Sequence, residues 1–160
     1  MEARAKLFGH PIHQMLIVMP LGVLSMALFF DVIALFLDRH QGLFSASYYM
    51  IAAGVATGLA AAVFGVIDFL KIPNGTSAKR IGTLHGVGNV IVVVLFAASW
   101  ILRREHPANP ATLAIILGAL GAGLATITGW LGGELVDRLG VGVDDGAHLD
   151  APSSLSGPAR

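Results

Sequence analysis

Four apolar stretches, residues 15–37, 48–70, 84–102 and 111–136, are each long enough to cross a bilayer, which takes about 20 residues of helix. Within the hydrocarbon every backbone N–H and C=O must find its partner inside the protein, so runs of this length form helices. Polar breaks separate them at 38–42 (Asp38, Arg39, His40), at 71–80 (Lys71, Pro73, Gly75, Lys79, Arg80) and at 103–110 (Arg103, Arg104, Glu105, His106, Pro110). Connections this short make neighbouring helices antiparallel. The expected fold is all-α: a polytopic membrane protein with an antiparallel bundle of four transmembrane helices and both ends on one side. The transmembrane domain covers residues 1–136 and a polar C-terminal tail covers 137–160.

Composition supports this reading. The chain is 55% hydrophobic and only 12% charged, against roughly 25% charged in soluble domains. Its formal net charge is zero, which excludes the basic field that nucleic-acid binding needs, so the expected partner is the lipid bilayer. There is no cysteine, which removes thiolate zinc sites, Cys-ligated iron–sulfur clusters and Cys nucleophiles. Motifs for a serine nucleophile elbow, a phosphate loop or a His-Glu-x-x-His zinc site are absent, so no catalytic residue is assigned and enzymatic activity stays open. The first apolar run exceeds the h-region of a signal peptide and no small-x-small site follows it, so it is expected to remain as an anchor.

Alternating direction places Arg4, Lys6, Lys71, Lys79, Arg80, Arg138 and Arg160 on one face, the near face, and Arg39, Arg103 and Arg104 on the far face. The excess of positive charge puts the near face and both termini in the cytoplasm, across a prokaryotic inner membrane. Tyr48, Tyr49 and Trp100 fall at the far interface and Trp130 towards the near one, where amphipathic rings settle. Small-xxx-small pairs (Gly54/Gly58, Gly82/Gly86, Gly129/Gly133) allow close helix packing, and they offer a face for a homodimer or for a redox or other membrane partner.

Ionisable side chains inside spans are costly and are functional candidates by default. His10 and His13 open the first span, Asp68 closes the second, His85 opens the third and Glu134 closes the fourth, so all five reach the near end. His85 and Asn89 are an i, i+4 pair that brings Asn89 to the same pocket. Imidazoles and carboxylates at the end of a four-helix bundle are a recurrent ligand set for transition metals. The candidate metal ligands are thus His10, His13, Asp68, His85 and Glu134, with Asn89 behind them, and the metal would be iron, zinc or copper. Each also has a structural reading: His10 and His13 facing headgroups, Asp68 against Lys71 or Lys79, Glu134 paired with Arg138, His85 bonded to a neighbouring helix. At the far face Asp31 is expected to pair with Arg103 or Arg104. Asp144, Asp145 and His148 of the tail either fold back over the near face or stay solvated.

The two halves also suggest a repeat. Each begins with a histidine (His13, His85) and ends with an acid (Asp68, Glu134), with Gly58-Leu59-Ala60 and Gly123-Leu124-Ala125 at similar distances before the acids. Such halves would be parallel repeats about an axis along the membrane normal.

Phe8-Gly9-His10-Pro11-Ile12-His13, the helix carrying Met19-Pro20-Leu21-Gly22, His85 with Asn89, and Gly129-Trp130-Leu131-Gly132-Gly133 leading into Leu139-Gly140-Val141-Gly142-Val143 resemble the four-helix prokaryotic membrane proteins of the DUF2231 family. The likeness covers nearly the whole chain and implies the same fold. Some relatives look fused or adjacent to Rieske domains, which implies redox surroundings. Relatives often carry His after the Gly-Gly pair, where this chain has Glu134.

The leading expectation is a His/carboxylate metal site serving redox or metal handling. An alternative is b-type haem with His13 and His85 as axial ligands from diagonal helices. Asp68 and Glu134 beside an anionic cofactor argue against it. An ion path on the same carboxylates and a non-catalytic accessory subunit complete the set.

Overall fold

A computed structural model describes residues 1–38 and 41–156; Arg39, His40 and Arg160 of the sequence reading lie outside the described residues. A two-residue hairpin pairs β1 (Lys6–Leu7) with β2 (His10–Pro11). Its turn, Phe8-Gly9, has positive φ at both positions, 49° and 84°, as a tight primed turn requires. The helices that follow are α1 (Ile12–Leu16), α2 (Val18–Ala34), α3 (Gln41–Lys71), α4 (Ser77–Arg103) and α5 (Thr112–Gly133). A π-helical turn over Glu134–Arg138 extends α5.

Four spans result, Ile12–Ala34, Gln41–Lys71, Ser77–Arg103 and Thr112–Arg138, each long and apolar enough to cross a membrane. The first is broken between α1 and α2 because of Pro20, which has no N–H for the Leu16 carbonyl and whose ring crowds it. The helix continues past the break, with Ile17 N–H on His13 O at 3.1 Å and Leu21 N–H on Ile17 O at 3.1 Å. The helices outrun the apolar stretches at their polar ends. Thr76 caps α4 by accepting from Lys79 N at 3.1 Å, so α4 starts in the interfacial loop and His85 lies two turns inside it.

α2 packs chiefly on α3, and α4 on α5; α3 against α4 and α2 against α5 close the ring. Helices α2 and α4 therefore stand diagonally. The central packing is Ala27, Ile51, Val92 and Phe96, one residue from each of α2 and α3 and two from α4. Small residues admit these side chains: a Cβ on Gly121 would lie 3.0 Å from the Phe96 ring, and one on Gly54 would overlap Leu24. Most other large apolar residues face outward, as they do where lipid is the solvent.

The tail partly folds back. Gly142 N–H donates to Met1 O at 2.9 Å, Lys6 Nζ lies 3.5 Å from Asp144 Oδ2 and 2.6 Å from Glu2 Oε2, and Ser154 Oγ is 3.4 Å from His10 Nε2. Glu2 and Asp144 hold the Lys6 ammonium above its ordinary pKa, chiefly through the Glu2 hydrogen bond. The Asp144 carboxyl is held below its ordinary value, first by the Gly146 N–H and then by Lys6.

Candidate functional site

At the near end the two interior histidines are fixed in the same way. His13 Nδ1 lies 2.9 Å from Ala61 O on α3. His85 Nδ1 lies 2.8 Å from Thr128 O on α5. A carbonyl can only accept, so each ring carries its proton on Nδ1, and the neutral ring keeps its lone pair on Nε2. Glycine makes room for each ring one turn further along the partner helix: a Cβ on Gly65 would sit 2.9 Å from His13, and one on Gly132 would sit 3.1 Å from His85. The imidazoles stand on diagonal spans, the first and the third.

Asn89 distinguishes the two. Its Nδ2 donates to His85 O at 2.9 Å and lies 3.1 Å from His85 Nε2. Its Oδ1 accepts from Thr128 Oγ1 at 3.0 Å. The carbonyl of His85 fixes which way the amide faces, and the amide then donates to the Nε2 lone pair. The corresponding place after His13 is Ile17, which carries no polar group.

The other sequence candidates are engaged elsewhere. Asp68 Oδ1 accepts the backbone N–H of Arg4 at 2.7 Å and of Ala5 at 3.0 Å, pinning the N-terminal segment to the end of α3. Lys71 and Lys79, its expected partners, bond instead to Glu2 O at 3.2 Å and Phe69 O at 2.9 Å. Glu134 Oε2 lies 3.7 Å from Arg138 Nε, the i, i+4 pair foreseen for it. His10 is exposed in the hairpin beside Ser154. Among the described residues no three His, Asp or Glu side chains are grouped to hold a metal ion.

The reason lies in the register of the acids. Asp68 is seven residues beyond Ala61, but Glu134 is six beyond Thr128, an offset of about 100° around a helix. The π-helical turn starting at Glu134, with Leu139 N–H reaching back to Glu134 O at 3.1 Å, rotates this end further. Halves anchored on their histidines therefore correspond, and halves anchored on their acids do not.

At the far end the expected Asp31 pair forms with Arg103. Both side chains are fully buried. Arg103 Nη1 and Nη2 donate to Asp31 Oδ1 and Oδ2 at 2.8 and 2.6 Å. The remaining N–H groups reach Ser47 Oγ at 3.2 Å, Ser99 Oγ at 3.2 Å and Ala114 O at 3.4 Å. All five guanidinium donors are engaged, with acceptors from every span. Asp31 and Arg103 each follow their half's histidine by 18 residues, about 27 Å along a helix, which matches the roughly 30 Å hydrocarbon core. Sequence reasoning missed Ser47 and Ser99, although hydroxyls in apolar runs were a visible signal, Ser99 standing one turn before Arg103. It could not see the carbonyls of Ala61 and Thr128, which carry no side-chain signature.

Four spans of alternating direction, with an imidazole pair at one end and a buried ion pair at the other, define an α-helical integral membrane protein. The chain belongs to the DUF2231 family, described as predicted membrane proteins, whose family model matches residues 9–145. No curated protein and no solved structure matches it.

Proposed function

We propose that the chain is a redox protein of the prokaryotic inner membrane in which His13 and His85 ligate a metal centre at the cytoplasmic end, with b-type haem as the cofactor that two imidazoles complete. The observation that carries the reading is the matched pair of Nδ1 bonds to backbone carbonyls. They orient each ring with Nε2 turned away from the carbonyl, as such bonds do around metal-bound histidines; on His85 a ligated metal would take the place of the Asn89 N–H that meets Nε2 at 3.1 Å. Placement on diagonal spans would let His13 and His85 hold one such group between them. With Asp68 and Glu134 turned to other partners, the carboxylates that argued against an anionic macrocycle are withdrawn. Gly65 and Gly132 admit the two rings against the partner helices. Such a haem would supply one-electron transfer; the chain's own part is to hold the two rings and exclude water. The cytoplasmic placement gains support from Arg103, whose charge is spent inside the bundle on Asp31 and so drops out of the far-face count.

The test is purification in mild detergent after haem-replete expression, with an absorption spectrum and elemental analysis. A Soret band with stoichiometric iron, lost in His13→Ala and in His85→Ala but kept in His148→Ala, is the expected result. Zinc or copper without a Soret band would replace haem by a bare ion on the same imidazoles. An intact bundle with neither would refute the proposal and leave a packing or ion-path role.

A further inference from the structure

The equivalences between the halves extend well beyond the histidines. Leu24 and Phe96, each 11 residues after its histidine, face Gly54 and Gly121, each seven residues before the carbonyl that histidine binds. Ala27 and Ser99 are both 14 residues after the histidines, and Ser47 and Ala114 are both 14 before the carbonyl residues. Asp31 and Arg103 occupy the same place. Each half is thus one helical hairpin, α1–α3 or α4–α5, and the hairpins face each other about an axis along the membrane normal.

We infer that Asp31 and Arg103 are the device by which two otherwise equivalent hairpins select each other, and that the surface they guard fits a second copy of this chain by hairpin exchange. A hairpin able to face its near-duplicate has a surface that also fits itself. Pairing of first hairpins from two chains would bury Asp31 against Asp31, and pairing of second hairpins would bury Arg103 against Arg103. Uncompensated like charges in a low-dielectric layer are strongly disfavoured. Only unlike hairpins complete the guanidinium network, because Arg103 takes acceptors from both halves: Asp31 and Ser47 from the first, Ser99 and Ala114 from its own. The connection between hairpins, residues 72–76, is short, and exchange of identical elements is an accessible route to dimers. None of this depends on whether a cofactor binds.

The test uses full-length chains with two different affinity tags, read by co-purification and light scattering in detergent. Asp31→Arg alone and Arg103→Asp alone each place like charges together and should lose most of the monodisperse monomer. Co-expressed, the two variants complement in trans. The arginine introduced at position 31 of one chain meets the aspartate introduced at position 103 of the other, and the native Asp31 and Arg103 that remain meet in the second pairing. A 1:1 dimer should therefore co-purify. The double swap Asp31→Arg/Arg103→Asp should recover the monomer in part. Moving the hydroxyls to the corresponding places (Ala27→Ser, Ala114→Ser, Ser99→Ala, Ser47→Ala) should raise recovery further. Hydroxyl transfer that lowers recovery would overturn the equivalence of the halves. Single variants that remain well-folded monomers, or co-expressed variants that never associate, would overturn the role in selection.

Discussion

Truncating Asp31 to Ala measures what the far-end network contributes. The carboxylate receives two charge-assisted bonds at 2.8 and 2.6 Å from a guanidinium that is itself fully buried. After truncation Ser47, Ser99 and Ala114 O still accept from Arg103, so three of its donors stay paired. Two N–H groups lose their partner and the positive charge loses its counter-ion. Removing one member of a buried pair costs about 3–5 kcal/mol, because the other is left charged and unmatched. For a chain of this size each kcal/mol lowers the thermal midpoint by about 2–4 °C, so the expected fall is about 6–20 °C. Circular dichroism of the purified protein in detergent reads it. Removing both charges with Asp31→Ala/Arg103→Leu should recover most of the loss, since paired deletion leaves no unmatched charge and orphans only the Ser47 hydroxyl. A single variant within about 2 °C of the parent, or a double variant less stable than the single, would refute the reasoning.

Near the imidazoles, Gly65→Ala brings a Cβ to 2.9 Å from the His13 ring; overpacking of this kind costs about 1–3 kcal/mol, and the variant should bind haem more weakly while keeping its helix content by circular dichroism. Gly132→Ala, at 3.1 Å from His85, should do the same more mildly. Asp68→Ala removes the acceptor for the Arg4 and Ala5 N–H groups and should cost about 1–2 kcal/mol, seen as faster amide exchange confined to residues 1–11. The Lys6–Asp144 contact is insensitive to pH near neutrality. The Asp144 share is present above the ordinary carboxylate value of 3.8 and is lost as pH falls through its lowered folded value. The Lys6 share is present below 10.5 and is lost as pH rises through its raised folded value. Amide exchange of residues 141–146, corrected for its intrinsic pH dependence, should therefore be flat between these limits and rise only outside them.

The bundle was legible because length and hydropathy alone specify spanning helices, and short polar breaks specify their direction. The Asp31 partner was legible for a related reason: a lone carboxylate at hydrocarbon depth has few cations in reach, and Arg103 stands at the matching depth. The four-helix gathering of ligands was not legible. Depth along a helix follows from counting residues, but direction around it does not, and the six-against-seven spacing of Glu134 and Asp68 from their carbonyl residues turns them apart. The N-terminal segment ahead of the hairpin then supplies Asp68 with backbone donors, Arg4 and Ala5 N–H, that no side-chain pattern announces. The repeat was visible as His-first halves, while its true register rests on Ala61 and Thr128, whose main-chain role leaves no trace in residue type.

Electron paramagnetic resonance of the oxidised, purified protein tests most directly whether His13 and His85 share one centre. A low-spin ferric signal of two-imidazole ligation, converted to high spin or lost by either His13→Ala or His85→Ala, is the predicted result. A signal that survives both substitutions, or iron-free protein whose bundle is intact, would contradict it.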